Sequence, residues 1–165
     1  MKTRWYRVVL SVLVLFGLLF GCVSVNPQVK DAEAAVNYAK KLMSEGHTEE
    51  AVAEYIRARD LFIEADYTYS AYETYSSIAQ AYYLKGDVDT AIDTYFSAIE
   101  FAMDNPWAVS LKDVADQMRQ LSALLRSEGR MEEAGYLLED ALLLYQQIED
   151  EEGIDAVRKE MDLLE

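Results

Sequence analysis

Few side chains in this 165-residue chain could carry out chemistry, and their spacing narrows the choice further. There is one histidine, His47, and one cysteine, Cys22. His47 follows Gly46 in what reads as a turn, where an exposed polar residue is the ordinary occupant. As a general base it would need a nucleophile and an orienting partner within reach, and the sequence supplies neither. No serine stands in a nucleophile-elbow pattern, and no glycine-rich phosphate loop occurs. Acidic pairs such as Asp87/Asp89 and Glu132/Glu133 open apolar-periodic stretches, where a helix dipole favours carboxylates. One histidine, one cysteine and scattered carboxylates do not make a metal site. The sequence therefore predicts a non-enzymatic protein with no catalytic residue, no metal ligand and no bound cofactor. A single cysteine also excludes an intrachain disulfide.

What Cys22 could do follows from the residues before it. Lys2, Arg4 and Arg7 form a basic n-region, Val8 to Phe20 an apolar stretch, and Gly21 a small residue at a cleavage point, which together read as a bacterial export signal. The segment Leu19-Phe20-Gly21-Cys22 resembles a lipobox, at which the leader is removed and the new amino-terminal cysteine is acylated. Leucine and glycine match that motif, while Phe20 is bulkier than its usual residue. The resemblance implies a signal peptide over 1–21, a covalent lipid such as palmitate on Cys22, and a short tether over 22–26. Val8 to Val25 is also 18 uncharged residues, long enough to span a bilayer as an uncleaved signal anchor. Either outcome places the remainder outside the cytoplasm, in the bacterial cell envelope, facing the periplasm or the exterior and tethered to a membrane.

Charge restricts the partners. The whole chain carries −15; without its leader it keeps twelve basic and thirty acidic side chains, a net charge of −18. Nucleic acid is excluded as a partner of the bulk surface, because the phosphate contribution would be repulsive.

The elements that must position any site are visible in a three-fold recurrence. Glycine is followed at fixed distances by alanine, a large apolar residue and alanine: Gly46/Ala51/Tyr55/Ala58, Gly86/Ala91/Tyr95/Ala98 and Gly129/Ala134/Leu138/Ala141. The small, large, small set falls at i, i+4 and i+7, one stripe of a helix. Before each glycine stand Leu42, Tyr82 and Leu125 at four residues, Ala39, Ala79 and Ser122 at seven, and Tyr38, Ile78 and Leu121 at eight. Each unit thus reads as helix, tight glycine turn, helix. Helices are expected over 27–45, 48–64, 67–85, 88–104, 106–128, 131–149 and 152–164. Asn26 and Asn105 precede prolines and suit N-caps, as do Asp66 and Asp87. The last helix has no partner after it and is expected to cap the array with Asp155, Arg158, Lys159, Glu160 and Asp162 on its outer face.

This pattern resembles the tetratricopeptide family over Asp31 to about Tyr145. The resemblance implies an all-α, right-handed superhelical solenoid of three helical hairpins, at about 31–64, 67–104 and 107–149, plus a capping helix over 152–164, in one domain over 27–165. Two departures stand out. The tryptophan of the family's first helix is replaced by Ala35, Tyr75 and Met118, and the glycines lie 40 and 43 residues apart where the usual repeat is ~34. The extra residues are expected to lengthen the second helix of one unit and the first of the next.

In that architecture the first helix of each unit lines a concave groove, which here implicates Lys40, Gln80, Tyr83, Arg119 and Arg126. Lys40, Arg119 and Arg126 would be a cationic patch for the carboxylates of a peptide. Gln80 and Ala123 do not reproduce the family's clamp for carboxy-terminal peptides. The third helix holds six tyrosines; Tyr75 and Tyr82 suit the core, while Tyr69, Tyr72 and Tyr83 lie off that seam and are candidates for partner contact. The expected function is a membrane-tethered scaffold for an envelope or secreted protein or peptide, in assembly, secretion or appendage biogenesis. An alternative is a periplasmic ligand-binding accessory of a solute transport system. Pairing of the long first helices between chains would allow an oligomer.

Overall fold

The structure, a computed structural model, describes residues 26–164. The expected leader over 1–21, Cys22 and the rest of the expected tether before Asn26 lie outside the described residues. Seven helices follow one another: α1 (Pro27–Glu45), α2 (Thr48–Glu64), α3 (Thr68–Lys85), α4 (Val88–Asp104), α5 (Leu111–Ser127), α6 (Met131–Gln147) and α7 (Glu151–Met161). Each packs against the next in the chain, giving the hairpins α1/α2, α3/α4 and α5/α6, with α7 laid on α6. Among the described residues there is no strand. The molecule is an all-α hairpin solenoid.

The recurrent small residues explain how close the helices come. Ala39, Ala79 and Ser122, then Ala51, Ala91 and Ala134, then Ala58, Ala98 and Ala141 are all buried. Side chains this short let neighbouring helix axes approach near the low end of the usual separation. The large members fill what remains, with Leu42, Ile78, Leu121, Leu125 and Leu138 buried among them. Tyr38 departs from this set: it occupies the position of Ile78 yet is 50 % exposed. Ile78 packs on Leu42, Val52 and Tyr55 of the preceding hairpin; among the described residues no hairpin precedes Tyr38.

Every turn inside a hairpin uses its glycine as expected. Gly46, Gly86 and Gly129 have φ of 83°, 85° and 77°. The amide after each closes back on the helix: His47 N–H donates to Leu42 O, Asp87 N–H to Tyr82 O and Arg130 N–H to Leu125 O. The same closure joins consecutive units, where Tyr67 N–H reaches Phe62 O and Asp150 N–H reaches Tyr145 O. There the left-handed residues are Asp66 (φ 61°) and Glu149 (φ 57°). Asp66 is therefore the left-handed residue of a turn and not an N-cap; that place falls to Tyr67. A Cβ in this region is strained, so Glu149→Gly is expected to stabilise the protein by about 0.5–1 kcal/mol. A urea denaturation series measures it as a raised midpoint with unchanged slope.

Asn26 and Asp87 cap as expected, accepting from Gln28 N–H and Thr90 N–H. Asn105 does not. Its side-chain amide donates to Phe101 O at the end of α4, and Pro106 begins a turn that runs to Ser110. The cap of α5 is Ser110, in a capping box with Asp113. Two hydrogen bonds satisfied reciprocally there outweigh a lone asparagine before proline. The wider glycine spacing is thereby explained: the third unit is entered by the loop 105–110, whereas the second is entered by the shorter turn 65–67. The three residues by which 43 exceeds 40 lie in that connection, whereas the excess of both spacings over ~34 lies in the helices, as expected: α2, α3, α4 and α5 run 17, 18, 17 and 17 residues.

The core is one large cluster around α4–α7 and two smaller ones around α1–α3. At the amino-terminal end, Val29 and Ala32 of α1 pack with Phe62 of α2 and Ala71 of α3. The start of α1, the end of α2 and the start of α3 therefore share one end of the solenoid. Ile154 and Val157 of α7 are buried, with Met161 and Leu164 packed beside them.

Candidate functional site

The first helices of the units, α1, α3 and α5, with α7 after them, form a row whose three seams differ. Between α1 and α3 the row opens into a cleft of about 390 Å³, lined among others by Glu33, Asn37 and Lys40 from α1 and Glu73, Thr74 and Ser77 from α3. Lys40 is exposed there and belongs to no ion pair among the described residues. Its ammonium, the carboxylates of Glu33 and Glu73, and the neighbouring amide and hydroxyls can hydrogen-bond an extended peptide backbone from several directions.

The α3/α5 seam is closed along most of its length. Tyr72 Oη donates to the backbone carbonyl of Asp113 at 2.9 Å, and Ser76 Oγ donates to Gln117 Oε1 at 2.5 Å. Tyr72 is only 5 % exposed, and burial first, then Asp113, pushes its phenol well above the usual range. Expected as a surface contact, Tyr72 is a core residue, because its hydroxyl finds a backbone acceptor on the neighbouring helix and the ring can be covered. Tyr69 stays exposed with its ring 6.2 Å from that of Tyr72. Towards the glycine-turn end the seam opens into a recess of about 280 Å³ that brings together Gln80, Tyr83, Tyr95 and Gln120. Gln80 and Tyr83 are thus neighbours.

The α5/α7 seam is held by charge. Arg119 donates to Glu160 from Nη2 at 2.5 Å and from Nε at 3.2 Å, with Asp116 3.6 Å from Nη1. Glu160, placed by sequence on the outer face of α7, turns inward to make this pair. Its carboxylate is the main reason that the Arg119 guanidinium is held still further into its charged form. Beside them the Tyr145 hydroxyl donates to Asp116 at 2.5 Å, and Lys112 pairs with Asp150 at the start of α7. Lys112 also lies 5.3 Å over the Tyr145 ring. Arg126 stands in the last turn of α5, outside the recess and in no ion pair among the described residues. The three cations therefore occupy separate places: Lys40 in the α1/α3 cleft, Arg119 in the seam with α7, and Arg126 at the far end of α5.

Residues that spacing did not single out include Gln117, buried at a position where a polar side chain interrupts the apolar seam, and Gly153, packed directly against the Tyr145 ring. Among the described residues no group of three or more metal-ligating side chains converges. His47 is an exposed turn residue whose Nδ1 lies 3.4 Å from Glu50. No helix among the described residues is long and apolar enough to cross a membrane.

No family model matches the chain, and no curated protein does. Solved structures do. The N-terminal domain of stress-induced protein-1 from C. elegans superposes with a TM-score of 0.63 at 16% identity, covering 82% of this chain and 98% of that one. A kinesin light chain from Podosopora anserina, with nearly identical TPR-like repeats, gives a TM-score of 0.59 at 14% identity over 85% of this chain and 67% of that one. The fold is a tetratricopeptide-like solenoid. Within it, α1, α3 and α5 are the first helices of the three tetratricopeptide-like units, so the open α1/α3 cleft and the α3/α5 recess both lie along the row they form.

Proposed function

We propose that this protein is a non-enzymatic interaction scaffold of the bacterial cell envelope, held at a membrane surface by a lipid on Cys22 and binding an envelope or secreted protein through the first-helix row. The observation that carries it is the α1/α3 cleft: charged and hydroxyl side chains line an open seam, while the next two seams are bridged by hydrogen bonds or ion pairs and the α3/α5 seam opens only at its glycine-turn end. Such a cleft suits an extended segment of a partner protein, with Lys40 taking an acidic side chain and the α3/α5 recess offering Tyr83 and the amides of Gln80 and Gln120. Tyrosine supplies contact area with little ordering cost, as interfaces favour. Support for the tether comes from the basic, apolar and lipobox-like order of the first 22 residues.

The test changes Lys40 and Gln80, which are exposed and bridge no seam. Lys40→Glu combined with Gln80→Glu is expected to leave the melting temperature unchanged and to reduce co-purification of the partner from solubilised membranes at least about tenfold, the effect of a lost charge-assisted contact. Glu54→Lys, on α2, is expected to leave it intact. Retention of every partner by the double variant would remove the cleft from the binding surface.

A further inference from the structure

Exposed apolar side chains are unevenly placed on this molecule. The turns that join one unit to the next, at 65–67 and 105–110, carry Tyr67 and Trp107, and Tyr69 follows in the first turn of α3. Trp107 is 74 % exposed, Tyr67 46 % and Tyr69 43 %. The three converge on one shallow cleft of about 300 Å³ with Ala108 and Asp66. Exposed Ile63 and Met103 stand just before these turns at the ends of α2 and α4, and Ile148 at the next junction. Trp and Tyr with a few aliphatic neighbours is the composition of an interfacial belt, in which amphipathic rings sit at lipid headgroup level.

The start of the chain decides what covers this end. Val29 and Ala32 pack with Phe62 and Ala71, so Asn26 emerges on the end that carries Tyr67, and Cys22 lies only four residues before it. At ~3.5 Å per extended residue those four residues reach about 14 Å. Neighbouring helices stand ~8–10 Å apart, which puts the aromatic cleft a few helix widths from Asn26 across the same end.

Resting on the lipid tether proposed above, we infer that the Tyr67/Tyr69/Trp107 end is a membrane-seating surface that inserts its rings at the headgroup level of a zwitterionic bilayer. The first-helix row then stands upright from the membrane. Asp66 in the cleft, Asp104 before it and Glu149, Glu151 and Glu152 at the next junction, where Asp150 is already paired with Lys112, outnumber exposed Lys30 at the start of α1 and favour zwitterionic over anionic lipid, because like charge opposes close approach.

Loss of the leader removes Trp5, so Trp107 is the single tryptophan of the processed protein. The purified lipidated protein, its Cys22 modification verified by mass, is reconstituted into phosphatidylcholine vesicles with or without brominated acyl chains. Trp107 emission is expected to shift to the blue on reconstitution and to fall about twofold with the brominated lipid, as for a ring at the interface. Adding anionic lipid is expected to lessen both effects. A second protein, Trp107→Phe with Leu84→Trp, moves the reporter to the opposite end of α3 and is expected to show neither. A vesicle-bound protein whose Trp107 stays unquenched, or one quenched equally from both positions, overturns the inference while leaving the tether in place. Protein that stays off the vesicles with unmodified Cys22 removes the tether, and the seating surface with it.

Discussion

Gly153→Ala is expected to destabilise the protein by about 2–3 kcal/mol, within the range for overpacking a filled core. The glycine sits in the first turn of α7, and a Cβ there would lie 2.2–2.6 Å from three atoms of the Tyr145 ring. Tyr145 has no room to withdraw: it is fully buried, its hydroxyl is held by Asp116, and Lys112 covers the ring. The substitution must therefore push α7 off α6 or force the ring out of its site. Thermal melting should show a fall of roughly 5–10 °C, and hydrogen exchange should show lost protection in α7 first. Gly135→Ala is the matched control. Its Cβ would meet only Leu164, at an ordinary 3.6 Å, so the better helix propensity of alanine should prevail and raise stability by about 0.8 kcal/mol. Equal effects at the two glycines would contradict the packing described for α7.

Arg119→Glu should cost nearly as much, about 2–3 kcal/mol, because it replaces the partner of a half-buried carboxylate with a like charge. The pair is about a quarter exposed on each side, which places it between a screened surface pair and a fully buried one. The new carboxylate would face Glu160 and Asp116 together. Urea denaturation of Arg119→Glu, Glu160→Arg and the double exchange provides the cycle; the double variant should recover at least about 1 kcal/mol if the two side chains act on one another. Additive losses would show that the two residues are independent. Arg119 is consequently a poor probe of partner binding: its reversal loosens α7 whether or not a partner is held.

The sign of the pH response follows from the same seam. Lys112, followed by the backbone amide of Gly153, draws the Asp150 carboxyl below its ordinary range. A carboxyl lowered on folding contributes stability above its unfolded pKa and loses it as pH falls through the folded value. The fastening of α7 by Asp150 is thus complete at neutral pH and weakens only in the acid range.

Regular features of the solenoid were legible in the sequence because they are periodic. Three glycines with left-handed φ and nine buried small residues recur at fixed distances, and each position answers to one physical demand, a turn or a close helix approach. The junctions were less legible, since the competing signals there are alike. Asn26-Pro27 and Asn105-Pro106 read identically, yet the first opens a helix and the second a loop; the deciding Ser110/Asp113 box lies four residues further on. Asp66 looked like a cap because aspartate suits both a cap and a left-handed turn. The site was hardest to read, because spacing along one helix does not reveal what the next helix brings. Arg119 meets Glu160 and Tyr72 meets Asp113, each across 41 residues of sequence. Tyrosine, half apolar and half polar, does not announce whether its hydroxyl will meet backbone or water.

The proposal that the first-helix row bears the partner is tested most directly by placing a photoactivated cross-linker at single positions of the protein in intact cells. Lys40 and Gln80 represent the α1/α3 cleft and the α3/α5 recess, while Glu54 and Glu139 represent the second helices α2 and α6. One discrete protein adduct is predicted from Lys40 and Gln80, of the same identity at both, and none from Glu54 or Glu139. Adducts from the second helices alone would contradict the assignment of the partner to this face.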